Sequence, residues 1–171
     1  MKEDKSQLMN RAMSYGLIMG IAWVIKYMFF IFGNRAPILS SFYWGCTLAV
    51  PFIAYVMTKR YRAEIGGSIS FFHAWRFGIM LYFCAALIVS VAHFVFYNFI
   101  APEDFVSNAV LQTLELFKEM DMEDMAKAIK EVELSPIHMT IQQIFNNMFY
   151  GIVFSLPVAF LVRHKEDDLK S

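Results

Sequence analysis

The longest uncharged stretch of the chain runs from Phe77 to Ile100, 24 residues without Asp, Glu, Lys or Arg. An α-helix needs about 20 residues to cross the ~30 Å hydrocarbon core of a bilayer. A run of this length without a charge is typical of a membrane-spanning helix. With the aromatic residues that precede it, the run predicts a span over residues 72–100, with Arg76 at the membrane boundary.

Further apolar stretches of span length lie at residues 12–32, 38–57 and 139–162. The chain has 58% hydrophobic residues, whereas a typical soluble domain has about 45–50%. We therefore predict an all-α fold, a polytopic membrane protein with four transmembrane helices that forms a single membrane domain over residues 1–171.

Between the third and fourth spans, at residues 103–134, the sequence becomes polar and acidic. Apolar residues recur there at helical spacing, and acidic residues fill most of the other positions. Nine acidic residues stand against three lysines between Pro102 and Leu134, a local net charge of −6. We expect one or two amphipathic helices, broken near residues 120–122, in water or at the membrane surface.

The distribution of basic residues orients the predicted spans. Four spans place both termini on one side of the membrane, together with the segment that contains Lys59, Arg60 and Arg62. Basic residues are concentrated on that side, whereas the opposite side has Arg35 and the lysines of the acidic insert. By the positive-inside rule, the N- and C-termini are cytoplasmic and the insert is extracytoplasmic.

Ligand-binding candidates in or beside the spans are Lys26, Arg76, His93, Asn146 and Asn147. Lys26 stands out because a charge within a membrane costs a few kcal/mol and by default suggests a functional site. In a functional interpretation it anchors an anionic group such as a lipid phosphate. In a structural interpretation its long side chain extends to the interface and fixes the helix register.

Arg76 and His93 each have two interpretations. Arg76 either binds a lipid phosphate or anchors its helix at the boundary. His93 either forms a proton relay with Lys26 or an acidic residue, or it hydrogen-bonds to a neighbouring helix. At ~1.5 Å per residue, Arg76 and His93 lie about 25 Å apart on the same helix, so they cannot share a site. Asn146 and Asn147 belong to an amide cluster expected at a depth similar to that of Lys26.

The sequence contains no recognisable catalytic or metal-binding motif. It has no G-x-S-x-G and no glycine-rich phosphate loop, and its four histidines and two cysteines lack metal-ligand spacing. The formal net charge is zero and no basic patch is flanked by aromatic residues, which argues against a nucleic-acid partner. We predict no catalytic residue, no metal and no cofactor.

Small residues form two stripes at i, i+4, i+8 spacing, namely Ala12, Gly16 and Gly20 in the first span and Gly151, Ser155 and Ala159 in the fourth. Such stripes let helix backbones approach closely in membranes, and we expect helix contacts there. Pro51 and Pro157 lie inside spans and are expected to bend them.

Three segments carry a resemblance to a known family: NRAMSYGLIMGIAWVIKYMFF, EIGGSISFFHAWRFGIM and IQQIFNNMFYGIVFSLPVAFLVRHK, with the insert EMDMEDMAKAI between the last two. With them the chain resembles a membrane-protein family, seen mainly in Bacteroidota, that is known as the domain of unknown function number four thousand one hundred ninety-nine. The resemblance covers nearly the whole chain. It implies a bacterial inner-membrane protein in an envelope-biosynthesis context, and it supplies no catalytic residues.

From these features we expect a non-enzymatic accessory or interaction subunit in envelope biology. Its partners would be membrane lipids and a membrane protein or a second copy of the chain. The alternative is a small transporter or lipid-handling subunit for an anionic or polyprenyl-linked substrate, which would use Lys26.

Overall fold

The computed structural model describes residues 5–33, 36–131 and 135–163, and every regular element in these ranges is helical. In chain order the helices are α1 (Lys5–Gly33), α2 (Pro37–Glu64), α3 (Phe71–Val95), a π-helical turn (Phe96–Ile100), α4 (Phe105–Glu119), α5 (Glu123–Glu131) and α6 (Pro136–Val162). Proline starts α2 and α6, a position where its missing N–H removes no helical hydrogen bond.

Four of these helices are long and apolar enough to cross a membrane: Gln7–Gly33, Ile38–Glu64, Phe71–Ile100 and Pro136–Val162. The predicted all-α polytopic fold is thus confirmed. One boundary differs, because the second span was predicted to end at residue 57, whereas α2 continues through the basic residues that follow it to Glu64. The reason is packing, since Thr58 and Tyr61 are both fully buried. The chain turns only at Gly66 and Gly67, whose positive φ angles of 103° and 84° suit glycine.

The chain divides into two compact units. Unit one comprises residues 1–89 and 144–171, and unit two comprises residues 90–143. Each is described separately below.

In unit one, α3 lies directly against α1 through glycine. A methyl group built on Gly16 would lie 2.4 Å from Cβ of Cys84, and one on Gly20 would lie 2.6 Å from Cβ of Ile88. The helix contacts expected of the first small-residue stripe are therefore confirmed. Without a hydrophobic effect between helices in lipid, such close backbone approach is a main source of their association.

The contact between α3 and α6 also depends on close approach of the helices at glycine. A methyl group on Gly151 would lie 2.4 Å from Cβ of Tyr82, and one on Gly78 would lie 2.5 Å from Cβ of Ser155. The second stripe is thus also used inside unit one. Trp75 of α3 adds a hydrogen bond, its Nε1 donating to the carbonyl of Ile152 over 3.1 Å. Pro51 and Pro157 do lie inside helices, and the bends expected there stay predictions.

Unit two contains the predicted amphipathic insert. It forms two helices, because α4 ends at Glu119 and α5 begins at Glu123. Asp121, with φ of 58°, makes the break, which confirms the expected position. The π-helical turn before α4 is closed by the Ala101 amide, which donates to the Phe96 carbonyl over 2.8 Å. Phe105 packs edge-on against Phe96, with ring centroids 5.4 Å apart.

We predict that Gly16→Ala destabilises unit one by about 1–3 kcal/mol, because the added methyl group has no space beside Cys84. Gly45→Ala is the matched control, since nothing lies within 4 Å of a methyl group at that position. Thermal unfolding followed by circular dichroism in detergent measures both. Equal melting temperatures for the two variants would contradict the packing of α1 on α3.

Candidate functional site

Lys26 is half-buried within unit one, between α1 and α2. Its Nζ lies 5.6 Å from the centre of the Trp23 ring and 5.2 Å from the centre of the Tyr43 ring. Both distances are within the range of cation–π attraction, which partly compensates an ammonium group removed from water. The structure thus places Lys26 against aromatic rings of two helices. This position is compatible with binding of an anionic group and with a purely structural role.

Acidic residues are nearly absent from the spans of unit one. Glu64, at the end of α2, is the only Asp or Glu within the four candidate spans. It lies 21 residues beyond Tyr43, or about 30 Å along the helix at ~1.5 Å per residue. No carboxylate of the four spans can therefore neutralise Lys26.

Two buried polar groups, one on α1 and one on α3, lack a hydrogen-bond partner among the residues that the structure describes. They are Nε1 of Trp23 and the hydroxyl of Tyr82. Trp23 is 5% exposed and Tyr82 is 1% exposed, and their rings meet edge-to-face with centroids 5.7 Å apart. In lipid an unsatisfied buried polar group costs several kcal/mol.

A shallow groove runs along one face of α2 in unit one. Its volume is about 410 Å³, and it is lined by Ile38, Ser41, Phe42, Gly45, Cys46 and Ala49. The lining is largely apolar, so the groove suits a hydrocarbon chain better than a polar solute.

A second polar group of residues lies where α1 starts and α2 ends, and we call it the Glu64 cluster. Glu64 Oε2 lies 3.1 Å from Nε of Arg11, and Glu64 Oε1 accepts a hydrogen bond of 2.6 Å from the Tyr15 hydroxyl. Beside it, the Tyr61 hydroxyl and Nε2 of His73 are 2.7 Å apart, and Tyr61 stacks on Phe77 with centroids 4.1 Å apart. These groups satisfy one another and hold the helices together.

The sequence did not single out the Glu64 cluster. The available signal was that Glu64 is the only acidic residue between the second and third apolar runs, which calls for a basic partner. The neighbouring Arg62 also has a structural partner, because its Nη1 donates to the carbonyl of Val162 at the end of α6 over 2.9 Å.

The predicted ligand-binding residues are distributed over both units. Arg76 and Asn146 are exposed and Asn147 is half-buried, all in unit one with Lys26. His93 is buried in unit two, where its ring stacks on Tyr97 with centroids 6.2 Å apart. A shared role for His93 and Lys26 stays a prediction. Within residues 5–33, 36–131 and 135–163, no group of three or more His, Cys, Asp or Glu side chains has metal-binding geometry.

We predict that Tyr61→Phe lowers the free energy of unfolding by about 1–2 kcal/mol, because it removes a buried hydroxyl and leaves His73 without that partner. Tyr55→Phe, at a half-buried position on the same helix, is the control and should change it by less than about 0.5 kcal/mol. Chemical unfolding in mixed micelles compares them. A neutral Tyr61→Phe would show that the contact with His73 contributes nothing to stability.

Comparison with known proteins bears on the whole chain. No curated protein and no solved structure matches it. A family described as Protein of unknown function (DUF4199) matches residues 14–164, which include the first span from Ser14 onward, the other three spans in full and the insert. This is the family that the sequence motifs indicated. The chain therefore belongs to the DUF4199 family of proteins of unknown function, as a multi-pass membrane protein.

Proposed function

We propose that the chain is a non-enzymatic accessory protein of the bacterial inner membrane that binds a protein partner through α4 and α5. One observation carries the proposal. These two helices lie between the spans. The large apolar side chains of Leu111, Leu116 and Met125 on them, and of Met120 at the end of α4, are each more than half exposed. Exposed apolar groups are expected on a helix in contact with lipid, but outside the spans they favour a protein interface.

The charge of the same helices specifies the partner further. Acidic side chains surround the exposed methionines, and residues 121–125 line a shallow depression of about 430 Å³ that contains Asp121, Glu123 and Asp124. An anionic lipid surface would repel this segment, because surface-bound amphipathic helices are usually rich in Lys and Arg. A partner with a basic surface is complementary to it.

The spans leave less room for a partner-binding role. In unit one, the helix surfaces around four glycines already pack against neighbouring helices. These glycines are Gly16, Gly20, Gly78 and Gly151. Polar pairs in unit one likewise bind one another, as Glu64 does with Arg11 and Tyr15. Both observations support an interaction role in unit two and a structural role for these contacts.

A second candidate function is a small lipid-handling or transport subunit for an anionic or polyprenyl-linked substrate. The position of Lys26 favours it, because the half-buried ammonium lies over aromatic rings of α1 and α2. The two functions are compatible, since they use different parts of the chain.

We predict that a photoreactive amino acid at Leu116 or Met120 crosslinks to a discrete protein in native membranes, because both side chains are exposed outside the spans. The same amino acid at Leu48, which is 73% exposed on a span, is the control and should crosslink to lipid only. The triple variant Asp121→Lys, Glu123→Lys, Asp124→Lys should abolish the protein adduct. The proposal fails if positions 116 and 120 give only lipid adducts or none.

The proposed orientation can be tested by thiol labelling. In a chain with Cys46→Ser and Cys84→Ser, we predict that Ser107→Cys reacts with a membrane-impermeant maleimide on intact spheroplasts, because α4 faces outward. Ala63→Cys, also exposed but at the cytoplasmic end of α2, should react only after permeabilisation. Labelling in the reverse order would overturn the orientation.

A further inference from the structure

We propose that the turn between α4 and α5 binds a soft monovalent cation, Cu(I), through the sulfur atoms of Met120, Met122 and Met125. We call these three residues the thioether cluster. The cluster lies in unit two, in the segment that the proposed partner contacts, but metal binding goes beyond that function and is tested separately.

Methionine is concentrated at this turn. Residues 120–125 read MDMEDM, so three of the chain's 12 methionines lie within six residues. A thioether sulfur is soft and polarisable, and such ligands select soft ions such as Cu(I), whereas carboxylates and carbonyls suit Mg²⁺ and Ca²⁺. Motifs based on the spacing of His and Cys do not detect a site of this kind. The thioether cluster therefore offers three soft ligands within one short segment.

The backbone places the first two methionines on either side of a tight turn. Met120 is the C-cap of α4, Asp121 has a left-handed conformation with φ of 58°, and Met122 follows directly. A hydrogen bond closes the turn, because the Met122 amide donates to the carbonyl of Phe117 over 2.8 Å. Residues two apart do not share a helix face. An apolar stripe on a helix therefore does not account for the spacing of Met120 and Met122.

The second and third methionines, Met122 and Met125, line the same shallow depression at the start of α5. Met122 is half-buried and Met125 is 52% exposed, so an ion can reach the depression from water. Met120 is 58% exposed and only two residues from Met122, at most about 7 Å of chain. Its unbranched side chain has three rotatable bonds, which let its sulfur approach an ion held beside Met122.

Carboxylates around the cluster attract a cation without forming a site for a hard one. Three acidic residues against one lysine give residues 120–127 a net charge of −2. One of the three, Asp124, also faces Lys127, with Oδ1 and Nζ 3.8 Å apart. Among the residues that the structure describes, no three His, Cys, Asp or Glu side chains have metal-binding geometry. The thioether ligands therefore determine which ion the turn prefers.

Thioether ligands also give the site a characteristic dependence on pH. Cys and His must be deprotonated before they bind a metal, whereas a thioether carries no proton to lose. We therefore expect the affinity for Cu(I) to change less than about threefold between pH 7.5 and pH 5.5. A site that depended on histidine would weaken over this range, because imidazole becomes protonated.

Equilibrium dialysis of the full chain in uncharged maltoside micelles tests the proposal. The probe is Cu(I), kept reduced by ascorbate under argon, and the control ions are Ca²⁺ and Zn²⁺. The chain carries Cys46→Ser and Cys84→Ser, because thiolates bind Cu(I) as well. We expect one Cu(I) per chain and no retention of either control ion. X-ray absorption should show sulfur among the nearest neighbours of the copper.

Variants then assign the binding to the thioether cluster. The triple variant Met120→Leu, Met122→Leu, Met125→Leu replaces each sulfur at nearly constant volume, and it should weaken Cu(I) binding at least about tenfold. Met9→Leu with Met13→Leu, at exposed methionines of α1, is the matched control and should bind as the parent chain does. Circular dichroism confirms that each variant is folded.

A second variant separates the sulfur atoms from the charge around them. Asp121→Asn, Glu123→Gln, Asp124→Asn retains all three thioethers, and it should weaken Cu(I) binding less than the leucine variant does. A larger loss in this amide variant would show that carboxylates hold the ion and would overturn the proposal.

Four other results would also overturn it. These are no retention of Cu(I), equal retention of Ca²⁺ or Zn²⁺, unchanged binding by the folded leucine variant, or copper with only oxygen and nitrogen neighbours. The partner proposal does not depend on these results, because crosslinking at Leu116 tests it without copper.

Discussion

The close approach of α1 and α6 to α3 is the contact on which unit one depends. It exists because Gly16, Gly20 and Gly151 have no side chain where Cys84, Ile88 and Tyr82 need space. In lipid this backbone proximity replaces the hydrophobic effect as the source of helix association. It also determines the position of Tyr82, whose ring is held between Gly151 and Trp23.

Polar side chains in unit one divide into two kinds because of this packing. In the Glu64 cluster, each of the main polar groups has a partner from another segment of the chain, so the cluster joins α1, α2 and α3. Trp23 of α1 and Tyr82 of α3, in contrast, pack ring against ring, but their polar groups have no hydrogen-bond partner among the residues that the structure describes. The first arrangement is typical of a structural contact, whereas the second leaves buried hydrogen-bonding groups unsatisfied.

Much of this architecture could be predicted from the sequence, because spans follow from long apolar runs and glycine stripes follow from spacing. Lys26 was identifiable for the same reason, as a charge within such a run. Trp23 and Tyr82 were not, because nothing in a sequence shows that an indole and a phenol from distant segments will meet without an acceptor. The continuation of α2 to Glu64 was also missed, since a basic sequence after a span suggests a loop until the burial of Tyr61 is seen.

A density map of the chain in nanodiscs made from its native membrane lipids tests the central claim most directly. That claim is that Lys26, whose ammonium lies over the Trp23 and Tyr43 rings, binds an anionic group of a ligand that the chain itself does not supply. The account predicts density for such a group beside Nζ of Lys26. A map in which Lys26 extends into the headgroup region, with no ligand density beside its ammonium, would contradict it.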